Sequence, residues 1–274
     1  MLYYISSSIQ ERGAFMGRTI AVVNQKGGVG KTTSAVNLAA CVGAHGYRVL
    51  LCDIDPQGNA TSGLGVNKRE VESSTYDMLI GSVDAAEIVC HTAFQNLDLL
   101  PANIDLAGAE LELSMLDNRE SRIRRALAKI KSDYDFIFLD CPPSLGLITL
   151  NALCAVDTVL VPIQCEYYAL EGLSQLMNTI RQVKRRYNPM IELEGVLLTM
   201  YDGRLNLTQQ VVQEVKRFFP QKVYASVIPR NVRLSEAPSY GQPVWYYDRS
   251  SRGAKAYDAL AAEFLRKNGK KEQQ

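Results

Sequence analysis

NQKGGVGKTT, residues 24–33, decides the fold. Glycines at 27, 28 and 30 follow a strand-like run, TIAVVN (residues 19–24), and precede a helical pattern that opens at Thr32. A glycine-rich turn at a strand-to-helix junction lets backbone N–H groups and a helix N-terminus close around anionic oxygens. Lys31 then carries charge to the terminal phosphates, and the Thr32 hydroxyl is a ligand for Mg²⁺. The usual spacing G-x-x-x-x-G-K-S/T would need glycine at Gln25, so this loop departs from it and sets a second lysine, Lys26, ahead of the glycines.

Working outward, short runs rich in Val, Ile and Leu alternate with helical patterns. The runs are RVLLCDID (48–55), NLDLLPA (96–102), DFIFLD (135–140), TVLVPI (158–163), LEGVLLTM (193–200) and VYASVIP (223–229). Their continuous apolarity marks strands buried on both faces. Helices are expected over 32–44, 119–131, 170–187, 207–219 and 253–267. That rhythm predicts an α/β fold with a parallel, doubly wound sheet flanked by helices. With no repeat, low-complexity tract or long linker, residues 16–274 read as one domain, and residues 1–15 as a flexible extension or start-codon artefact.

Ligands in such a sheet gather at the carboxyl ends of the strands. Asp53 and Asp55 alternate there and are expected on one side of the sheet, and Asp140 ends FIFLD as an acidic residue reaching Mg²⁺ would. As strand-end caps or turn residues the same aspartates would be ordinary, since Pro56 and Gly58 mark a turn. Three carboxylates on the edge that bears a Lys-Thr phosphate loop favour the catalytic reading.

Composition narrows the classes further. Of 274 residues, 47% are hydrophobic and 22% charged, which suits a globular chain with one substantial core. No apolar run approaches the ~20 residues of a membrane span, and the N-terminal stretch lacks the features of a signal peptide. Six cysteines without a C-x-x-C pair suggest buried thiols of a reducing compartment, hence the cytoplasm. Net charge is +1, but residues 1–150 carry 13 Lys and Arg against 17 Asp and Glu, and residues 151–274 carry 17 against 12. The C-terminal half is the basic one, which on charge alone is no more than solvated surface.

In combination these stretches resemble the ParA family of partitioning ATPases, in its Soj-like chromosomal branch. KGGVGKTT matches the deviant Walker A motif, VLLCDIDPQGNATSGLG a second signature, FIFLDCPPS the Walker B motif and IPRNVRLSEAPSYGQPV the C-terminal motif, so the likeness covers about residues 16–265. It implies a P-loop NTPase fold of the deviant Walker A type and slow hydrolysis of ATP with Mg²⁺. Carried over, Gly27, Gly28, Val29, Gly30, Lys31, Thr32 and Thr33 surround the phosphates, Thr32 and Asp140 serve the metal, and Asp55 positions the attacking water. Met200, Pro229 and Asn231 are the candidates over the purine. The matching signature lysine, Lys26, reaches across a homodimer to the partner's phosphates. Arg204 and Arg233 match positions for non-specific binding of double-stranded DNA. A ParB-type partner stimulates hydrolysis, and the expected place is the nucleoid.

Two other classes share parts of this pattern. A MinD-like membrane-associated ATPase has the same lysine loop and uses a terminal amphipathic helix. Here Tyr257, Leu260, Ala261, Phe264 and Leu265 recur at helical spacing, and an ordinary core face is the expectation, without stable membrane association. Relatives of the nitrogenase iron protein hold an iron–sulfur cluster on cysteines. Cys141, in the DCPP segment, is close to the site, but the spacing of Cys141, Cys154 and Cys165 repeats no cluster pattern.

Overall fold

The computed structural model describes residues 17–166 and 169–269; the extension expected at residues 1–15 and the end of the KNGKKEQQ tail lie outside them. A seven-stranded sheet is built from β1 (Arg18–Val22), β2 (Val49–Asp53), β3 (Cys90–His91), β4 (Leu97–Leu100), β5 (Phe136–Asp140), β6 (Thr158–Gln164) and β7 (Glu192–Thr199). Their order across the sheet is β3-β4-β2-β5-β1-β6-β7. Neighbours are parallel except at the edge, where the two-residue β3 runs antiparallel to β4.

The pleat divides each strand between two cores. Ile20, Val22, Leu51, Phe138 and Leu160 join one cluster, and Ala21, Leu50, Cys52, Leu139 and Val159 the other. The first face is covered mainly by α1 (Lys31–Ala44), α2 (Asn59–Gly63) and a group of C-terminal helices taken up below. The second is covered by α3 (Thr75–Ile80), α4 (Ala109–Ser114), α5 (Arg122–Ala128), α6 (Leu147–Ala155), α7 (Ala169–Arg186) and α8 (Asn206–Phe218). Both faces are therefore dry, which is why the strands read as unbroken apolar runs. The C-terminal group comprises α9 (Val232–Glu236), α10 (Val244–Tyr247) and α11 (Arg252–Asn268). Tyr257, Leu260, Ala261 and Phe264 of α11 are buried and Leu265 packs against them, so this helix turns its apolar face to the core.

From β1 the chain passes to β2, then to β3 at the edge, comes back through β4 to β5, and then fills β6 and β7 on the other side. The loop after β1 thus opens where the winding reverses, the position at which an open α/β sheet leaves a crevice.

Three sequence expectations need correction. VYASVIP is not a strand. It runs beside β7 and the residues just after it without forming a ladder, with isolated bridges of Val196 to Val223 and Tyr201 to Pro229. Between them the Glu263 carboxylate of α11 accepts the N–H groups of Ala225 (2.9 Å) and Ser226 (2.8 Å). Amides bound to a side chain are lost to the ladder. The helix expected at 119–131 is broken into α5 flanked by 3₁₀ turns at Arg119–Ser121 and Lys131–Asp133. Finally, β2 stops at Asp53, so the alternation argument does not reach Asp55, which lies in the turn beyond.

Candidate nucleotide site

The loop after β1 is held open from below. Asn24 donates to the Pro162 carbonyl of β6 (2.7 Å) and accepts the Lys26 N–H (2.9 Å). Thr199, at the end of β7, places its hydroxyl 2.8 Å from the Val29 carbonyl and 3.0 Å from that of Ile163. Gly28 (φ 73°) and Gly30 (φ 83°) take left-handed backbone, and a Cβ at Gly27 or Gly28 would meet nothing within 4 Å. That makes a cradle rimmed by backbone, with Gly30 as N-cap of α1 and, among the described residues, no side chain capping it. Such an uncapped N-terminus attracts an anion. Val29 is buried, so its contribution is its backbone, while Thr32 and Thr33 are half-buried on the first turn of α1.

Lys31 is buried and donates to the Lys26 carbonyl at 3.1 Å. Burial pushes its ammonium below the usual lysine value, and the charges of Asp140 and Asp55 oppose that shift. In the β2–β5 register Asp53 stands opposite Asp140, so two fully buried carboxylates end adjacent strands. Asp53 is satisfied. Its Oδ2 accepts the Thr61 N–H (2.8 Å) and hydroxyl (2.7 Å), and its Oδ1 accepts the Asp55 N–H (3.2 Å), yet burial still pushes it up to about 6. Asp140 is not satisfied: neither carboxylate oxygen has a hydrogen-bond partner among the described residues. Burial first, and then the charge of Asp53, raise it well above the ordinary carboxylate range; the Thr32 hydroxyl opposes this without reaching hydrogen-bond geometry. A buried, unpaired carboxylate next to a lysine and a threonine fits a cation site, since Mg²⁺ in phosphate sites takes only one or two protein ligands. Asp55 accepts the Gln57 N–H at 2.9 Å and remains close enough to act electrostatically on both Lys31 and Asp140.

Beside the loop, a cavity of about 300 Å³ is lined by Gly30, Thr33, Met200, Pro229, Asn231 and Tyr257 among others. The three candidate base residues thus meet one another and the phosphate loop. Met200 adopts φ 48°, an unusual value for a non-glycine residue that turns the chain off the end of β7. Asn231 Oδ1 is buried without a hydrogen-bond partner among the described residues. Tyr257 of α11 reaches back to Ser34 of α1 (3.1 Å between hydroxyls).

The two arginine candidates do not meet in one place. Arg204 borders a larger cavity of about 860 Å³ with Tyr201, Arg230, Arg252 and Lys255, and is paired with Asp202 at 2.7 and 2.9 Å. Arg233, on α9, is paired with Glu236 at 2.7 Å and Asp248 at 3.3 Å. Spacing along the chain carried no signal for Arg230, Arg252 and Lys255, which come together only through the return of α11. Glu166, the ion-pair partner of Lys26, was missed for the same reason. Thr199 was visible only as the residue before Met200. Cys141, Cys154 and Cys165 are buried, and desolvation raises all three thiols, the last two to about 11. Among the described residues no group of three or more His, Cys, Asp and Glu is placed to hold a metal ion.

A family model described as an AAA domain matches residues 17–193. The chain is 60% identical over 248 residues to the sporulation initiation inhibitor protein Soj of Bacillus subtilis (strain 168), covering 90% of this chain and 98% of that one. It is 52% identical over 259 residues to the chromosome partitioning protein ParA of Myxococcus xanthus, covering 94% and 92%. A solved structure of cobyrinic acid a,c-diamide synthase from Mycobacterium smegmatis, with bound ATP analogue and magnesium, superposes with a TM-score of 0.82 at 41% identity over 91% of this chain and 94% of that one. With sheet, loop and carboxylates in place and identity at this level along nearly the whole length, the chain belongs to the Soj/ParA family of chromosome-partitioning ATPases.

Proposed function

We propose that residues 16–274 form a single ATPase domain that dimerises on ATP, binds double-stranded DNA without sequence preference as the dimer, and lets go on hydrolysis. ATP and Mg²⁺ are its nucleotide and metal. The backbone of residues 27–30, Lys31 and Thr33 take the phosphates, Thr32 and Asp140 serve the Mg²⁺, and Met200, Pro229 and Asn231 take the base. The metal supplies positive charge against the phosphate oxygens. Asp55, free of the strand and within electrostatic reach of Lys31, orients the attacking water. Lys26 completes the phosphate pocket of a second copy. An ammonium among glycines gains most where an anion replaces its lost water, so nucleotide and pairing favour each other.

The observation that carries this reading is Asp140, a fully buried carboxylate beside Lys31 with both oxygens unpaired among the described residues. DNA binding is supported by the basic C-terminal half and by the gathering of Arg204, Arg230, Arg252 and Lys255. Phosphate contacts of this kind carry no sequence information and weaken with salt. Stimulation by a ParB-type partner and a place on the nucleoid in the cytoplasm follow from the family. No helix among the described residues is long and apolar enough to cross a membrane. Size-exclusion chromatography of Asp55→Ala with ATP, without and then with DNA, tests the switch. A trapped dimer that binds DNA is expected, and a persistent monomer would overturn both mechanism and site.

A further inference from the structure

We propose that Glu166 is a positioning residue for Lys26: within one subunit it holds the ammonium in cis, and ATP-driven pairing requires it to let go. This rests on the reading of Lys26 as a residue that acts across the dimer.

Lys26 is fixed at three points. Its N–H is held by Asn24, its carbonyl by the Lys31 ammonium, and its own ammonium by the Glu166 carboxylate, its one ion-pair partner among the described residues. The first two ties belong to the phosphate loop. The third leads elsewhere, to the turn between β6 and α7. There the Glu166 N–H donates to the Gln164 carbonyl (2.8 Å), and the Glu166 carbonyl accepts the Ala169 N–H (3.0 Å) that opens α7. Lys26 is thus tied to the turn that follows β6, and its direction is set by a carboxylate 140 residues away in sequence.

The chemistry suits a releasable tie. Both side chains are about half solvated, 40% exposed for Lys26 and 44% for Glu166, so the pair is weak enough to exchange. A triphosphate offers the ammonium several negative charges in place of one. The released Glu166 keeps a favourable position at the start of α7, where the helix dipole attracts an anion. Each exposed pair of this kind shifts an equilibrium about 1.5- to 5-fold, and a symmetric dimer releases two, so Glu166 raises the concentration needed for pairing by about 2- to 30-fold.

Sedimentation velocity of the full chain with a non-hydrolysable ATP analogue tests this in wild type, Glu166→Gln, Glu166→Ala, Lys26→Ala and the Lys26→Ala/Glu166→Gln double variant. Both Glu166 variants are expected to pair at about 2- to 30-fold lower protein concentration than wild type. The two chains lacking Lys26 are expected to stay monomeric, which a merely structural role for Glu166 would not require. If the Glu166 variants pair no better than wild type while Lys26→Ala stays monomeric, the restraint is refuted and the trans lysine stands. If Lys26→Ala pairs as wild type does, the trans lysine itself fails and the proposal with it.

Discussion

The carboxyl edge of the sheet and the basic surface near α11 treat their charges in opposite ways. Asp53 and Asp140 are fully buried on adjacent strand ends, one saturated with hydrogen bonds and one with none. Arg204, with a side chain 90% exposed, pairs with Asp202 two residues before it, and Arg233 with Glu236 of its own helix and with Asp248. At the edge, geometry is imposed by the strands, and a missing partner among the described residues is what supports a ligand there. At the surface, a charge has interchangeable partners, so on the proposed function DNA phosphate would compete with Asp202 and Glu236 on nearly equal terms.

Breaking the buried edge should have the largest effect. Asp140→Asn is expected to lower ATP turnover by about 100-fold or more, by analogy with the loss of one preorganised electrostatic group from a dry site. The same substitution should stabilise the nucleotide-free chain. Asp53 and Asp140 both titrate above their unfolded values, so the folded state holds protons that the unfolded state releases, and stability falls as pH rises from about 4 through 6. Thermal melts without nucleotide should therefore give a higher Tm at about pH 5.5 than at about pH 7.5. Asp140→Asn should flatten that difference; a wild-type Tm that climbs with pH across this range would refute the assignment.

A smaller effect tests the staple under the loop. Thr199→Val keeps the shape but removes the one hydroxyl shared by the Val29 and Ile163 carbonyls, at a cost of about 1–2 kcal/mol. Denaturant unfolding should show that loss, with ATP affinity falling about tenfold as the loop relaxes. The smallest effect belongs to the surface. Arg233→Ala should weaken retention of DNA by the ATP-bound form only a few-fold at moderate salt, lower the salt slope by about one for each phosphate no longer neutralised, and leave ATP binding unchanged. An effect as large as that at Asp140 would mean that Arg233 is no exchangeable surface charge, and the contrast between the two regions would have to be redrawn.

The glycine-rich turn, six of the seven runs taken for strands, and Asp53 and Asp140 at the ends of β2 and β5 could be read from residue order because each rests on short-range chemistry. Glycines permit the left-handed turns at Gly28 and Gly30, and buried parallel strands need continuous apolar runs, so the residues that end those runs fall on one edge. Met200, Pro229 and Asn231 were placed by family likeness, and the fold brings them to one cavity beside Gly30. What failed to show in the sequence depends on partners far along the chain. VYASVIP has every local mark of a strand, yet Glu263 from α11 takes two of its amides. Which aspartate is saturated and which is left unpaired follows from the reach of Thr61 to Asp53, and the restraint on Lys26 from the turn that carries Glu166. Local pattern can say which groups are charged or apolar; desolvation and pairing depend on everything that surrounds a group, and that is settled only when the elements pack.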